Sequence, residues 1–224
     1  MQTLYVFGDS FATPYVREDQ PSQPEMVEFP KIIANTFDLD CINYSEPGQS
    51  NFHIVELIRK HKSRVTEKDI VLIALSNPYR DLSDKTPSSM LDNLLKHIEE
   101  INTTFRNNRV LITAAFNPIC PYDFSTEELK KYNVENFLQW GEPNNTLMDY
   151  VTGTWLDGSK VNVVAQEGVD RVRFLRLKKP KIYENLLVCM HFNTNGHKLV
   201  AEMLVEEMEG RFSLSRRSRH ARIL

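Results

Sequence analysis

Two short segments near opposite ends of the chain carry residue types that together could perform acyl transfer. Residues 8–11 (Gly-Asp-Ser-Phe) follow the apolar run 4–7, and residues 191–197 begin with a histidine and precede a terminal amphipathic pattern. A serine hydroxyl is a weak nucleophile at neutral pH unless a base accepts its proton, and histidine is the usual base. We therefore predict that Ser10 and His191 form a nucleophile–base pair, which makes ester hydrolysis the leading hypothesis.

Acyl transfer also needs hydrogen-bond donors aimed at the oxygen atom that becomes negative. In mutational tests each such donor is worth roughly 3 kcal/mol of the barrier. A backbone N–H that a ligand can approach closely and a side-chain amide both suit this role. The sequence offers Gly48, in a turn after Pro47, and Asn77, directly after an apolar run.

The elements that must position these residues alternate along the chain. Strands are predicted over residues 3–7, 41–44, 70–75 and 109–115, and they alternate with helical patterns that start near Phe29, Asn51 and Pro87. This β-α-β-α-β-α-β order predicts an α/β fold, a three-layer α/β/α sandwich of flavodoxin-like type with a mainly parallel sheet. In such sheets the working groups lie beyond the carboxyl ends of the strands, where Ser10, Gly48 and Asn77 all fall.

The middle of the chain is less regular. Residues 125–128 resemble a capping box and predict a helix towards Trp140, whereas residues 141–160 have the composition of a loop or lid. The basic residues of 171–181 are typical of a solvated edge strand or loop, although a positive rim for an anionic substrate is the alternative. A last helix is predicted over 195–209, closed by Gly210, with His197 exposed to solvent.

Composition limits the classes of protein. A chain of 224 residues with 41% hydrophobic and 25% charged residues fits one globular domain, here 1–210 with an insertion or lid at about 118–185. The net charge of −3 argues against nucleic-acid binding. Residues 211–224 form a basic tail with five arginines and no acid. Such a tail is typical of a disordered or oligomer-contacting end, which leaves a homo-oligomer open.

Cysteine usage and hydropathy bear on location and cofactors. The three cysteines at 41, 120 and 189 show neither a disulfide framework nor a metal-binding pattern, which suits a reducing compartment. No run approaches the roughly 20 apolar residues of a membrane span, and the first ten residues lack the basic start of a signal peptide. We therefore expect a cytoplasmic protein, and we expect neither a metal ion nor a cofactor.

Three blocks of the sequence resemble those of the SGNH hydrolases, also called GDSL-type esterases. Residues 8–10 (Gly-Asp-Ser) resemble the first block, residues 43–51 the second and residues 191–201 the last. The resemblance covers residues 1–80 and 186–208. The sequences of these blocks are similar to those of small SGNH-like proteins of tailed bacteriophages. It implies a Ser10 nucleophile and a His191 base, with the hydrolysis of a short acyl or O-acetyl ester on a sugar or similar polar carrier.

The same resemblance implies an oxyanion hole formed by the N–H groups of Ser10 and Gly48 and by Asn77. Residues 75–78 (Leu-Ser-Asn-Pro) depart from the usual Gly-x-Asn-Asp of the third block but keep the amide.

A second departure concerns the base. The orienting aspartate expected three residues before the histidine is replaced by Val188. Either a backbone carbonyl holds His191, or an acid such as Glu184 or Asp170 reaches it, or catalysis is slow or absent. The alternatives are therefore a non-catalytic binding or structural protein of this fold and an acyltransferase that uses the same serine.

Overall fold

A four-stranded parallel sheet forms the centre of the molecule. In a computed structural model, its strands are β1 (Thr3–Gly8), β2 (Asp40–Asn43), β3 (Ile70–Leu75) and β4 (Arg109–Ala114). Their order across the sheet is β2-β1-β3-β4, and every neighbouring pair is parallel. The structure describes residues 2–13, 27–76, 80–81, 86–114, 134, 136–138, 147, 181, 184–185, 187–188 and 191–217.

Helices cover both faces of this sheet because its strands are apolar on both sides. They are α1 (Phe29–Phe37), α2 (Asn51–His61), α3 (Pro87–Thr104) and α4 (Thr194–Phe212). Along β1, Leu4 and Val6 pack with α1 and α4, whereas the alternate residues Tyr5 and Phe7 pack with α2 and α3. The predicted α/β class with a parallel sheet is confirmed.

A further segment lies beside β4. Phe137 forms a parallel bridge with Ile112, and the backbone N–H and C=O of Ile112 bond to Asn136 and Leu138, each at 2.8 Å. The predicted helix from Ser125 towards Trp140 is therefore wrong at residues 136–138, because burial of Phe137 and the open edge of β4 favour extended pairing. Its earlier part lies outside the described residues, as do 141–146, 148–160 and 171–180 of the segments discussed above.

The last helix is longer than predicted. It begins at Thr194 and continues through Gly210 to Phe212, and Ser213 then ends it with a left-handed φ of 52°. The prediction that Gly210 closes the helix is wrong, because Phe212 and Leu214 pack against the core and outweigh the helix cost of one glycine, about 1 kcal/mol. Beyond the helix, the Arg217 N–H bonds to Thr36 O at 2.8 Å, so the start of the basic tail contacts α1.

Gly8 gives the first testable prediction. A Cβ built on Gly8 would lie 2.8 Å from Ala74 Cβ and 2.9 Å from Ala74 O, its neighbour on β3. We expect Gly8→Ala to lower the free energy of unfolding by about 1–3 kcal/mol, as overpacking does, measured by urea denaturation. Gly210→Ala is the matched control: its Cβ would meet nothing within 4 Å, so helix propensity should raise stability. Equal stability of Gly8→Ala and the wild type would contradict the close approach.

Candidate active site

Ser10 and His191 meet at the carboxyl end of β1. Ser10 lies in the turn directly after this strand, and His191 lies in β6 (His191–Phe192), which pairs antiparallel with β5 (Leu187–Val188). Ser10 Oγ and His191 Nε2 are 2.8 Å apart, although 181 positions separate the two residues. The structure thus brings together the two groups that the sequence predicted as nucleophile and base.

Local hydrogen bonds fix the turn that carries Ser10. Asp9 Oδ1 accepts the N–H of Phe11 at 3.0 Å, and Asp9 O accepts the N–H of Ala12 at 3.1 Å. Asn43 at the end of β2 then donates through Nδ2 to Ala12 O at 2.7 Å. A short polar side chain that bonds a backbone N–H two residues ahead is an Asx turn, which explains the tight bend after the strand. Only 5% of Ser10 is exposed, so its hydroxyl is held rather than freely rotating in solvent.

The position of His191 is set by its neighbours on both sides. Backbone pairing places His191 opposite Val188, and the imidazole stacks on the Phe11 ring with centroids 5.0 Å apart. Asn193 caps the following helix, since its Oδ1 accepts the N–H groups of Asn195 at 2.9 Å and Gly196 at 3.0 Å. Asn193, which belongs to the last of the three sequence blocks, therefore caps the helix α4.

Two acids were predicted as alternatives to orient His191. Glu184 is exposed, and its backbone carbonyl accepts a hydrogen bond from Asn193 Nδ2 at 3.4 Å. Asp170 lies outside the described residues.

Burial makes His191 a neutral imidazole at physiological pH. Burial first, and then the positive charge of Arg80, lower the pKa of His191 from 6.5 to about 4. A neutral imidazole has one ring nitrogen free to accept a proton. In the tautomer with the proton on Nδ1, Nε2 accepts the hydrogen bond from Ser10, which is the arrangement that a general base requires.

The pKa of Asp9 moves in the opposite direction. Burial raises the pKa of the Asp9 carboxyl group from 3.8 to about 6, and the hydrogen bond from the Phe11 N–H and the charge of Arg80 partly oppose this shift. Asp9 is 3% exposed and bonds the backbone of its own turn, so it supports the loop that carries Ser10.

Gly48 occupies the conformation that favours glycine. Its φ is +80°, and a Cβ at this position would meet nothing within 4 Å, so the space beside it is open. The segment before it runs alongside β1, since the N–H of Tyr44 bonds Val6 O at 2.8 Å and that of Glu46 bonds Gly8 O at 3.2 Å. This pairing carries Gly48 to the sheet edge where Ser10 lies. Asn77, the third predicted donor, lies outside the described residues.

Sequence reasoning missed Arg80. Its guanidinium is exposed and donates through Nη1 to Gln49 O at 3.1 Å, and its charge acts on both His191 and Asp9. No sequence signal distinguishes this arginine from other surface arginines, because the contact joins two loops 31 positions apart.

The prediction for His197 is also wrong. It was expected to be exposed, but it is 1% exposed and lies between the rings of Phe29 and Phe192, with centroids 5.8 Å from each. Its Nδ1 accepts the Phe29 N–H at 3.4 Å, and burial, assisted by His191, lowers its pKa to about 4. The sequence did contain the signal: His197 stands three and four positions before the buried Val200 and Ala201, on the apolar face of the helix.

In the described parts of the chain, no three Cys, His, Asp or Glu side chains gather closely enough to hold a metal ion. No helix in those parts has the length and apolar character needed to span a bilayer.

Comparison with known proteins shows the fold. No family model and no curated protein matches the chain. Among solved structures, it is similar to the psychrotrophic esterase EstA of Pseudoalteromonas sp., at 14% identity and a TM-score of 0.53, covering 95% of this chain and 100% of that one. It is also similar to a carbohydrate acetylesterase family member of Sinorhizobium meliloti (11% identity, TM-score 0.52, 96% and 100% covered).

A lipolytic protein of the G-D-S-L family from Veillonella parvula shows the same likeness, at 14% identity and a TM-score of 0.50, with 92% and 97% of the two chains covered. At identities this low, the similarity shows a shared fold and does not extend to activity. The chain therefore has the α/β fold of the GDSL and SGNH hydrolases.

Proposed function

We propose that the protein is a serine hydrolase that cleaves a carboxylic ester through an acyl-Ser10 intermediate, with His191 as the general base. The observation that carries this proposal is the 2.8 Å contact between Ser10 Oγ and His191 Nε2. It supports the proposal because the contact joins a nucleophile to a neutral base at the sheet edge where parallel α/β proteins place their ligands.

The reaction would proceed in two halves. Ser10 Oγ attacks the carbonyl carbon of the ester while His191 Nε2 takes the hydroxyl proton, and the imidazolium then passes this proton to the departing alcohol. Next, His191 deprotonates a water molecule, which attacks the acyl-Ser10 carbonyl. Collapse of the second tetrahedral intermediate releases the carboxylic acid and returns the proton to Ser10.

The developing oxyanion would be stabilised by the N–H groups of Ser10 and Gly48 and by the Asn77 amide. The positive φ of Gly48 and the open space beside it support this role, because the backbone can then approach a substrate without a side chain in the way. Asn77 follows Ser76 at the end of β3, the strand next to β1 in the sheet.

The substrate that we propose is a short acyl or O-acetyl ester on a sugar or similar polar carrier. The similarity to a carbohydrate acetylesterase family member supports this choice.

Comparing p-nitrophenyl acetate, butyrate and octanoate with an acetylated oligosaccharide tests the proposed substrate. Acetyl esters should give the highest kcat/KM, and faster octanoate turnover would contradict the proposal. Acyl transfer to an added alcohol in preference to water would identify an acyltransferase, and no turnover at all would favour a binding or structural protein.

The lowered pKa of His191 predicts an unusual pH profile. A base is active when unprotonated, so a pKa of about 4 should leave about nine-tenths of the plateau kcat/KM at pH 5, against about 3% for an ordinary histidine with a pKa of 6.5. Arg80→Gln removes a positive charge and should move the acid limb upwards, towards 6.5. The profile is measured with a neutral ester between pH 4 and 8.

Two controls accompany this measurement. Arg106→Gln removes an exposed charge on the turn after α3 and should leave the limb unchanged. Asp9→Asn identifies any part of the limb that belongs to Asp9, whose pKa is about 6. A wild-type limb centred near 6.5 would contradict the buried, neutral base.

A further inference from the structure

The side chain of Asn51 joins two segments of the candidate site. Its Oδ1 accepts the N–H of Ser76 at 2.8 Å, and its Nδ2 donates to the carbonyl of the same residue at 3.1 Å. Asn51 is 0% exposed and Ser76 is 2% exposed. A side-chain amide thus satisfies both backbone groups of one buried residue, where no solvent can replace it.

The two joined segments are those that carry proposed oxyanion donors. Asn51 is the first residue of α2 and stands three positions after Gly48. Ser76 follows the last residue of β3, and one peptide bond links it to Asn77. The hydrogen-bonded pair therefore couples the Gly48 turn to the start of the segment that holds the proposed amide donor.

The far side of that segment is tied to the same turn. Arg80 Nη1 donates to Gln49 O at 3.1 Å, and Asp81 Oδ1 accepts the N–H of Phe52 at 2.9 Å. Ser76, Arg80 and Asp81 thus all bond to residues 49–52, and the contact made by Asn51 is the buried one.

We propose that Asn51 is a positioning residue that fixes the Gly48 turn relative to Ser76 at the end of β3, and so sets the position of the oxyanion donor proposed at Gly48. This inference rests on the proposed function. Donors aimed at an oxyanion act mainly in the transition state, and small displacements of such groups cost rate far more than binding. Disturbing Asn51 should therefore lower kcat and leave KM nearly unchanged.

The test is Asn51→Asp, which keeps the acceptor for the Ser76 N–H but removes the donor to the Ser76 carbonyl. We expect kcat for p-nitrophenyl acetate to fall by about 10- to 100-fold at pH 8, with KM within about threefold of the wild type. Burial raises the pKa of an introduced carboxyl group, and its protonated form can donate again. The ratio of variant to wild-type kcat should therefore rise as the pH falls from 8 to 5. Because a buried carboxyl group with a raised pKa also destabilises the fold as the pH rises, kcat is compared only at pH values where circular dichroism shows the variant fully folded.

The matched control is Asn102→Asp, on α3. The Oδ1 of Asn102 also accepts a hydrogen bond, from Asn136 Nδ2 at 2.9 Å, and the same substitution keeps that acceptor. It should leave kcat and its pH dependence as in the wild type. Asn51→Ser is the second variant should Asn51→Asp not fold: it is neutral and too short to bond Ser76 on both sides, so kcat should fall at every pH without recovery.

Two results separate this inference from the proposed function. If the wild type hydrolyses esters and a folded Asn51 variant keeps the wild-type kcat, or changes KM alone, the positioning role is overturned and the proposed function stands. If the wild type neither turns over esters nor reacts with a serine-directed phosphonate, both proposals fall together.

Discussion

Replacing Ser10 by alanine is expected to lower kcat for an acetyl ester at least about 10³-fold, because no other group then forms the acyl-enzyme. Ser10 Oγ lies 2.8 Å from His191 Nε2 and only 5% of the residue is exposed, so the hydroxyl is already placed for attack. Residual turnover should remain above the uncatalysed rate, since the backbone donors can still stabilise attack by water. Steady-state kinetics at pH 7.5 provide the measurement.

The control for this substitution is Ser63→Ala, which removes an exposed hydroxyl from the 3₁₀ turn after α2. It should retain full activity. Both variants should unfold within about 1 kcal/mol of the wild type, because each loses a single hydroxyl. If Ser10→Ala kept a tenth or more of the activity, Ser10 would not be the nucleophile.

Replacing His191 by glutamine is expected to have an effect of similar size, again at least about 10³-fold on kcat. Glutamine can accept a hydrogen bond from Ser10, but its amide cannot take the proton in this pH range, so the hydroxyl stays a weak nucleophile. The loss should shrink as the pH rises towards 10, where hydroxide replaces the missing base. Stopped assays with a stable ester across pH 6–10 measure this trend.

Chemical rescue distinguishes a missing base from a disturbed fold. His191→Ala leaves a space beside the Phe11 ring, on which the imidazole stacks in the wild type. Added imidazole should restore part of the activity of His191→Ala and none of that of Ser10→Ala. The control His61→Gln, at the end of α2, should behave as the wild type. Failure of both His191 variants to lose activity would remove the histidine from the mechanism.

The sheet could be predicted from the sequence because burial acts on every residue of its strands. Strand β3 matches the predicted residues 70–75, where every residue is buried and apolar or small. The edge strand β2, predicted over 41–44, instead spans Asp40–Asn43, because its alternating burial gives a weaker pattern. The pairing of Ser10 with His191 was predicted from their residue types and sequence context, and the strand-end rule accounts only for Ser10, because His191 lies in the antiparallel pair β5–β6.

Features that depend on long-range packing could not be predicted in the same way. Asn51 is a polar residue in the first turn of a helix, and only the fold shows that it bonds Ser76, 25 positions away. The extension of the last helix past Gly210 depends on packing of Phe212 against the core. His197 differs, since its place on the apolar face was visible in the spacing and was outweighed by the general preference of histidine for the surface.

Other predictions from the sequence stay predictions. Three of them concern residues outside the described parts of the chain: the role of Asn77, the alternative acid Asp170 and the positive rim within 171–181. Of that rim, only Lys181 is described, and it is exposed. A bacteriophage origin, a cytoplasmic location and a homo-oligomer are likewise expectations. The ion pairs of Arg216 with Glu209 and of Arg217 with Asp38 show that the first part of the basic tail contacts its own chain.

Covalent trapping tests the central claim most directly. The probe is an activated ethyl phosphonate, which phosphonylates a nucleophilic serine hydroxyl. Intact-protein and peptide mass spectrometry at pH 7.5 should show one phosphonyl group on Ser10, formed at least about 10²-fold more slowly in His191→Gln. An unmodified wild type, or an adduct on another serine, would contradict the account.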